Sequence, residues 1–67
     1  MKRPEISASE RAFLRHLADG LTIEQAGERE GLSARASHSR LRRLRIALKA
    51  WTPTHAVATA LRLGLID

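Results

Sequence analysis

Cysteine and tyrosine are both missing from this 67-residue chain, which holds one phenylalanine and one tryptophan. Without cysteine there is no disulfide and no thiolate metal site, which fits a reducing compartment, so a cytoplasmic protein is expected. His16, His38 and His55 stand far apart with no ligand spacing between them, and no metal site is expected. So few aromatic rings argue against a platform for stacking single-stranded bases. There are only two prolines, and no segment alternates with period two, so no strand is expected. No apolar run reaches the ~20 residues of a membrane-crossing helix, and the charged opening Met1-Lys2-Arg3-Pro4-Glu5 lacks the apolar stretch of a signal peptide. Nucleophilic triads, glycine-rich phosphate loops and paired acids are absent too. A chain of this length buries only about 60% of the surface its unfolded form exposes, which leaves little core in which to shape a pocket. Neither an enzyme nor a cofactor nor a small-molecule ligand is expected.

The most informative absence is of negative charge. Residues 1–30 carry five basic and six acidic side chains, whereas residues 31–66 carry seven basic and none acidic. The net charge of +5 is therefore concentrated in one half of the chain. Such a one-sided distribution is the footprint of a polyanionic partner. Its densest part reads Arg40-Leu41-Arg42-Arg43-Leu44-Arg45.

Helix signals are well marked. Ser7 with Glu10, and Thr22 with Gln25, have the spacing of a capping box, in which each side chain satisfies a free backbone N–H at a helix start. Ser33 caps a third helix, and Thr52 followed by Pro53 caps a fourth. Gly20, Gly31 and Gly64 provide the stops. One all-α domain is expected, with helices over roughly 8–19, 23–30, 34–49 and 53–63. On a helical wheel of the third helix, Ala34, Ser37, Leu41, Leu44 and Leu48 form the packing stripe. Arg35, Ser39, Arg42, Arg43 and Ile46 lie on the opposite arc, with His38 and Lys49 on one shoulder and Arg40 on the other.

A helix, a glycine turn and an arginine-loaded helix form the outline of a helix-turn-helix DNA reader. Arginine suits that role because its planar fork pairs with a phosphate or with guanine O6 and N7. Arg35, Ser39, Arg42 and Arg43 are the principal candidate contacts, with His38 and Arg40 beside them. Thr22 and Ser33 are caps whose hydroxyls, together with the free N–H groups of the Ser33 end, are candidates for phosphate oxygens. Glu10 is read as a cap or as a partner for a third-helix arginine, and Trp51 as a core plug over the corner between the third and fourth helices.

Several stretches together resemble the LuxR/GerE-type helix-turn-helix domain. Ile6-Ser7-Ala8-Ser9-Glu10 is similar to the opening Leu-Thr-x-x-Glu of that family. The run from Leu14 to Thr22 is similar to Leu-x-x-Leu-Ala-x-Gly-Leu-Ser, and Gly31-Leu32-Ser33 matches the turn before the recognition helix. Ala56-Val57-Ala58-Thr59-Ala60-Leu61-Arg62-Leu63-Gly64-Leu65-Ile66 is similar to Ala-Val-x-x-Ala-x-x-x-Gly-Leu-Ile of the fourth helix. The resemblance covers nearly the whole chain. It departs at Glu30 and Ser37, where the family has apolar residues, and at Arg40, Ala47 and Pro53. It implies a four-helix bacterial transcription factor whose third helix enters the major groove of double-stranded DNA. It also implies weak pairing of two copies through the fourth helix. Ala56, Val57, Ala60 and Leu61 would then be buried within the domain, and His55, Ala58, Thr59 and Arg62 would form the dimer interface. The run Ser39-Arg40-Leu41-Arg42-Arg43-Leu44-Arg45 also looks like sigma-factor region four. The alternative reading is therefore a protein-binding adaptor, or a module docking on RNA polymerase, with weak DNA readout.

Overall fold

The computed structural model describes residues 3–67, and among these the chain is all-helical, with no strand. Helix α1 runs over Ala8–Ala18, α2 over Ile23–Arg29, α3 over Ala34–Leu48 and α4 over Pro53–Arg62. Each expected helix is present, and each ends one residue before its expected last position. Both capping boxes form: Ser7 N–H donates to Glu10 Oε1 at 2.8 Å, and Glu10 N–H donates to Ser7 Oγ at 3.0 Å. Thr22 and Gln25 repeat the exchange at 2.9 and 3.1 Å. Ser33 Oγ accepts from Ala36 N–H, and Thr52 Oγ1 from His55 N–H. These caps satisfy N–H groups that have no partner inside the helix, which is why each start is sharp.

All four helices close with the same pair of backbone bonds. A residue in the left-handed conformation donates back to one carbonyl, and the next residue donates to the carbonyl before it. The bonds from Leu21 to His16, Leu32 to Gly27, Ala50 to Arg45 and Leu65 to Ala60 belong to this set. In three cases the left-handed residue is glycine, the residue that tolerates it without a Cβ clash; at the end of α3 it is Lys49, with φ 54°.

The helices pack as a ring, each against its two neighbours, α1–α2–α3–α4 and back to α1. The core holds Phe13 and Leu14 from α1, Ala26 from α2, Leu41, Leu44 and Leu48 from α3, Ala56 and Ala60 from α4, with Ala50 and Ile66 from the connecting and final segments. The α2–α3 contact is the closest. A Cβ built on Gly27 would sit 2.5 Å from Ser37 Cβ, so these helices meet where neither carries bulk. Ser37 is fully buried and turns its hydroxyl back to the Ser33 carbonyl at 2.7 Å, which leaves no unsatisfied polar atom in the contact.

Three expected core positions differ. Ala34 is exposed, because it lies one turn ahead of Ser37, where the α3 stripe first meets α2. Leu61 is 46% exposed, since it follows Ala60 by about 100° on the α4 wheel and turns off the buried line of Ala56 and Ala60. Trp51 is 81% exposed and plugs nothing. The corner is filled by Leu48 and Ala50 instead: the Ala50 N–H bonds back to the Arg45 carbonyl, the chain reverses there, and the next side chain is directed outward.

Candidate nucleic-acid interface

Helix α3 begins in the turn after α2, and its Leu41, Leu44 and Leu48 stripe fixes its rotation by burying against the other helices. That rotation puts Arg35, Ser39, Arg42 and Ile46 outside together. The side chains of Arg35, Ser39 and Arg42 enter no hydrogen bond or ion pair among the described residues. An open groove of about 530 Å³ runs along this side, with Ser33, Arg35, Ser39, Arg40 and Arg43 in its walls.

The other candidates are held by the protein itself. Arg43 donates to Glu10 Oε2 at 3.1 Å, so Glu10 both caps α1 and pairs with α3, as the sequence suggested. Arg43 remains 75% exposed in that pair, whereas the Glu10 side chain is 12% exposed. His38 Nε2 lies 2.7 Å from Glu24 Oε2, with both side chains about half exposed. Arg40 is half-buried. Its guanidinium donates to Ser9 Oγ at 2.7 Å and lies 6.0 Å from the centre of the Phe13 ring, which commits it to the α1–α3 junction rather than to solvent. Thr22 and Ser33 are exposed and hold their helix caps.

Sequence reasoning missed the network behind Arg40. Glu30, at the end of α2, accepts from Ser9 at 3.0 Å and lies 3.0 Å from His16 Nε2. It thus closes α2 onto α1 through polar bonds. The His16 bond is the main cause that holds the Glu30 carboxyl below the ordinary range; partial burial opposes it, and Ser9 and the charges of His16 and Arg40 add to it. For Glu10, burial pushes upward, but bonds from Ser7 and Arg43 outweigh it and leave the carboxyl lowered. The His38 bond, followed by the backbone N–H of Glu24, lowers Glu24. The signal that could have found this network is the set Ser9, His16, Glu30 and Arg40, but it is spread over three helices and has no local spacing.

Glu10, Glu24 and Glu30 are thus each matched by a partner, and the unmatched charge of the helix belongs to Arg35 and Arg42 near its start and middle. Arg45 and Lys49 add to it at the far end. On α4, Arg62 is exposed, whereas His55, Ala58 and Thr59 are half-buried, and His55 Nδ1 accepts from the Trp51 N–H at 3.1 Å. Among the described residues no group of three His, Asp or Glu is placed to hold a metal ion, and no helix is long and apolar enough to cross a membrane. No family model matches the chain, and neither a curated protein nor a solved structure matches it.

Proposed function

We propose that the chain is a cytoplasmic, LuxR/GerE-type DNA-binding transcription regulator in which α3 enters the major groove of double-stranded DNA. The observation that carries this reading is the outer side of α3, where Arg35, Ser39 and Arg42 are exposed and their side chains enter no hydrogen bond or ion pair among the described residues. The close Gly27–Ser37 contact supports it, because it locks α3 against α2 at a fixed angle and gives the arginines a rigid base. Arg35, one residue into the helix, and Ser39, one turn later, lie where a recognition helix meets base edges, and Arg42 continues the same line. Arg43, released from Glu10, serves a phosphate, and the Ser33 end of α3 offers its free N–H groups to another. Arg40 is a positioning residue in this scheme, since it ties α3 to Ser9.

The fourth helix pairs two copies weakly. Thr54, Leu61 and Arg62 are its exposed groups, and Leu61, only 46% exposed, is the one large apolar side chain among them, so the pair forms on two half-sites about one helical turn apart rather than in dilute solution.

Selection of DNA sites in vitro with the purified chain, followed by affinity measurements over a range of salt, tests the reading. A recurring site is expected, with the logarithm of affinity falling against log salt at about −0.9 per neutralised phosphate. Equal affinity for selected and random DNA would overturn it. The adaptor or polymerase-docking reading would then stand, favoured by the engagement of His38, Arg40 and Arg43 within the protein itself.

A further inference from the structure

The far end of α3 carries a second feature, which adjoins the proposed reading surface and shares Arg42 with it. Trp51 is 81% exposed and Ile46 is 71% exposed, and the two line one cleft of about 390 Å³ with Arg42, Arg45, Lys49 and Ala50. Scattered exposed apolar residues are ordinary, but here the two most exposed large ones among the described residues share a cleft. Its rim is wholly cationic, and no acidic residue lies between Gly31 and Asp67 to neutralise it.

The patch is also rigid. Arg45 donates to the Trp51 carbonyl at 2.7 Å, and the Trp51 N–H is held by His55 Nδ1 at 3.1 Å, so the loop bearing the ring is tied to α3 on one side and to α4 on the other. Lys49 adds to the argument. It takes the left-handed conformation that the other three helix ends give to glycine. A lysine there costs the fold something that glycine would not, and what the position gains is an ammonium on the rim of the cleft.

From these observations we infer that the Ile46–Trp51 cleft is a docking site for an acidic segment of another protein that carries a large apolar side chain. The apolar anchor covers Ile46 and Trp51, and flanking carboxylates meet Arg42, Arg45 and Lys49. A DNA duplex offers charge of the right sign but no exposed apolar group of matching size. A bilayer needs a long apolar stripe, whereas the outer side of α3 is otherwise arginine, serine and histidine. Ile46 lies eleven residues beyond Arg35, or about 16 Å along the helix, at the opposite end from the Ser33 start. The cleft is a property of the free chain; only its accessibility on DNA rests on the proposed function.

The sole tryptophan reports on this site directly. The probe is a synthetic peptide with a Leu-Leu pair flanked on both sides by glutamates. Its controls are the same peptide with Ala-Ala at the centre and the same peptide with lysine for glutamate. The glutamate–leucine peptide is expected to shift Trp51 emission to the blue and to saturate below about 1 mM, and neither control does so. With a fluorescent label on the peptide, Ile46→Asp is expected to weaken binding by at least about tenfold. Lys49→Gly separates docking from folding: it is expected to leave the melting temperature equal or higher while peptide affinity falls by about threefold. Arg35→Ala is expected to impair DNA binding and leave peptide binding intact, so failure of either reading is visible without the other. No emission change up to that concentration would overturn the inference. So would an equal response to the lysine peptide, unaltered affinity in Ile46→Asp, or a response only to phosphatidylglycerol vesicles or to DNA.

Discussion

The Gly27–Ser37 contact sets the angle between α2 and α3, and replacing Gly27 with alanine tests it with two opposing terms of known size. Alanine in a helix interior is favoured over glycine by about 1 kcal/mol, so Gly27→Ala would stabilise α2 in isolation. In the folded domain the added Cβ would stand 2.5 Å from Ser37 Cβ and closer still to its hydroxyl. Rotating Ser37 relieves only the hydroxyl, and does so by breaking its bond to the Ser33 carbonyl; the two Cβ atoms still collide, so the backbones must part. Overpacking of this kind costs about 1–3 kcal/mol, and a collision that no rotamer relieves belongs at the upper end. The net expectation is destabilisation by about 1–2 kcal/mol. At about 4–8 °C per kcal/mol for a domain of this size, the melting temperature falls by roughly 10 °C. Far-UV circular dichroism against temperature and urea measures it. The double substitution Gly27→Ala/Ser37→Gly moves the small residue from one helix to the other and leaves the new Cβ at 3.4 Å from the facing Cα, an ordinary contact. It is expected to recover stability to within about 1 kcal/mol of the parent. A higher melting temperature in Gly27→Ala alone, or no recovery in the double variant, would refute the close approach and with it the fixed aim of α3.

Further outcomes follow from the same geometry. Leu44→Ala, at a site 1% exposed, is expected to cost about 2–5 kcal/mol by denaturant unfolding, whereas Ile46→Ala on the outer side changes stability by no more than about 0.5 kcal/mol. Arg35→Ala and Arg42→Ala are each expected to weaken binding to a selected DNA site by about 1–3 kcal/mol in fluorescence anisotropy, with Arg40→Ala acting chiefly on stability; a triple Arg35/Arg42/Arg43 variant of parental affinity would remove α3 as the reader. The Glu30 carboxyl is lowered in the folded state, so its contribution is present above the ordinary carboxylate range and is lost as pH falls through the folded value. Melting curves from neutral to acidic pH are therefore expected to fall less steeply for Glu30→Gln than for the parent, the variant starting from lower stability at neutral pH. Sedimentation is expected to give a monomer in dilute solution and two copies on a palindromic site, and saturation of one half-site by a monomer at full affinity would exclude the pairing.

Helix number, order and boundaries were legible in the sequence because caps and stops are local. Ser7 and Glu10, Thr22 and Gln25, Ser33, Thr52 and Pro53 satisfy or dispense with N–H groups within a few residues of themselves, and no distant part of the chain alters that chemistry. The leucine stripe of α3 was legible for a related reason: a run in which Leu41, Leu44 and Leu48 are the large apolar residues on one side has one rotation that buries them. The charge asymmetry and the outward placement of Arg35, Ser39 and Arg42 follow from the same wheel. Tertiary structure decided the rest. Whether Arg40 and Arg43 are free depends on Ser9 and Glu10 of another helix, more than thirty positions away in each case. The Glu30–His16 bond depends on how α1 and α2 meet. Trp51 was misjudged because burial of a large ring at a corner depends on the volume left there, and Leu48 with Ala50 had already filled it. Leu61 was misjudged because how far around α4 the core extends is set by its neighbours, and no local pattern marks that edge.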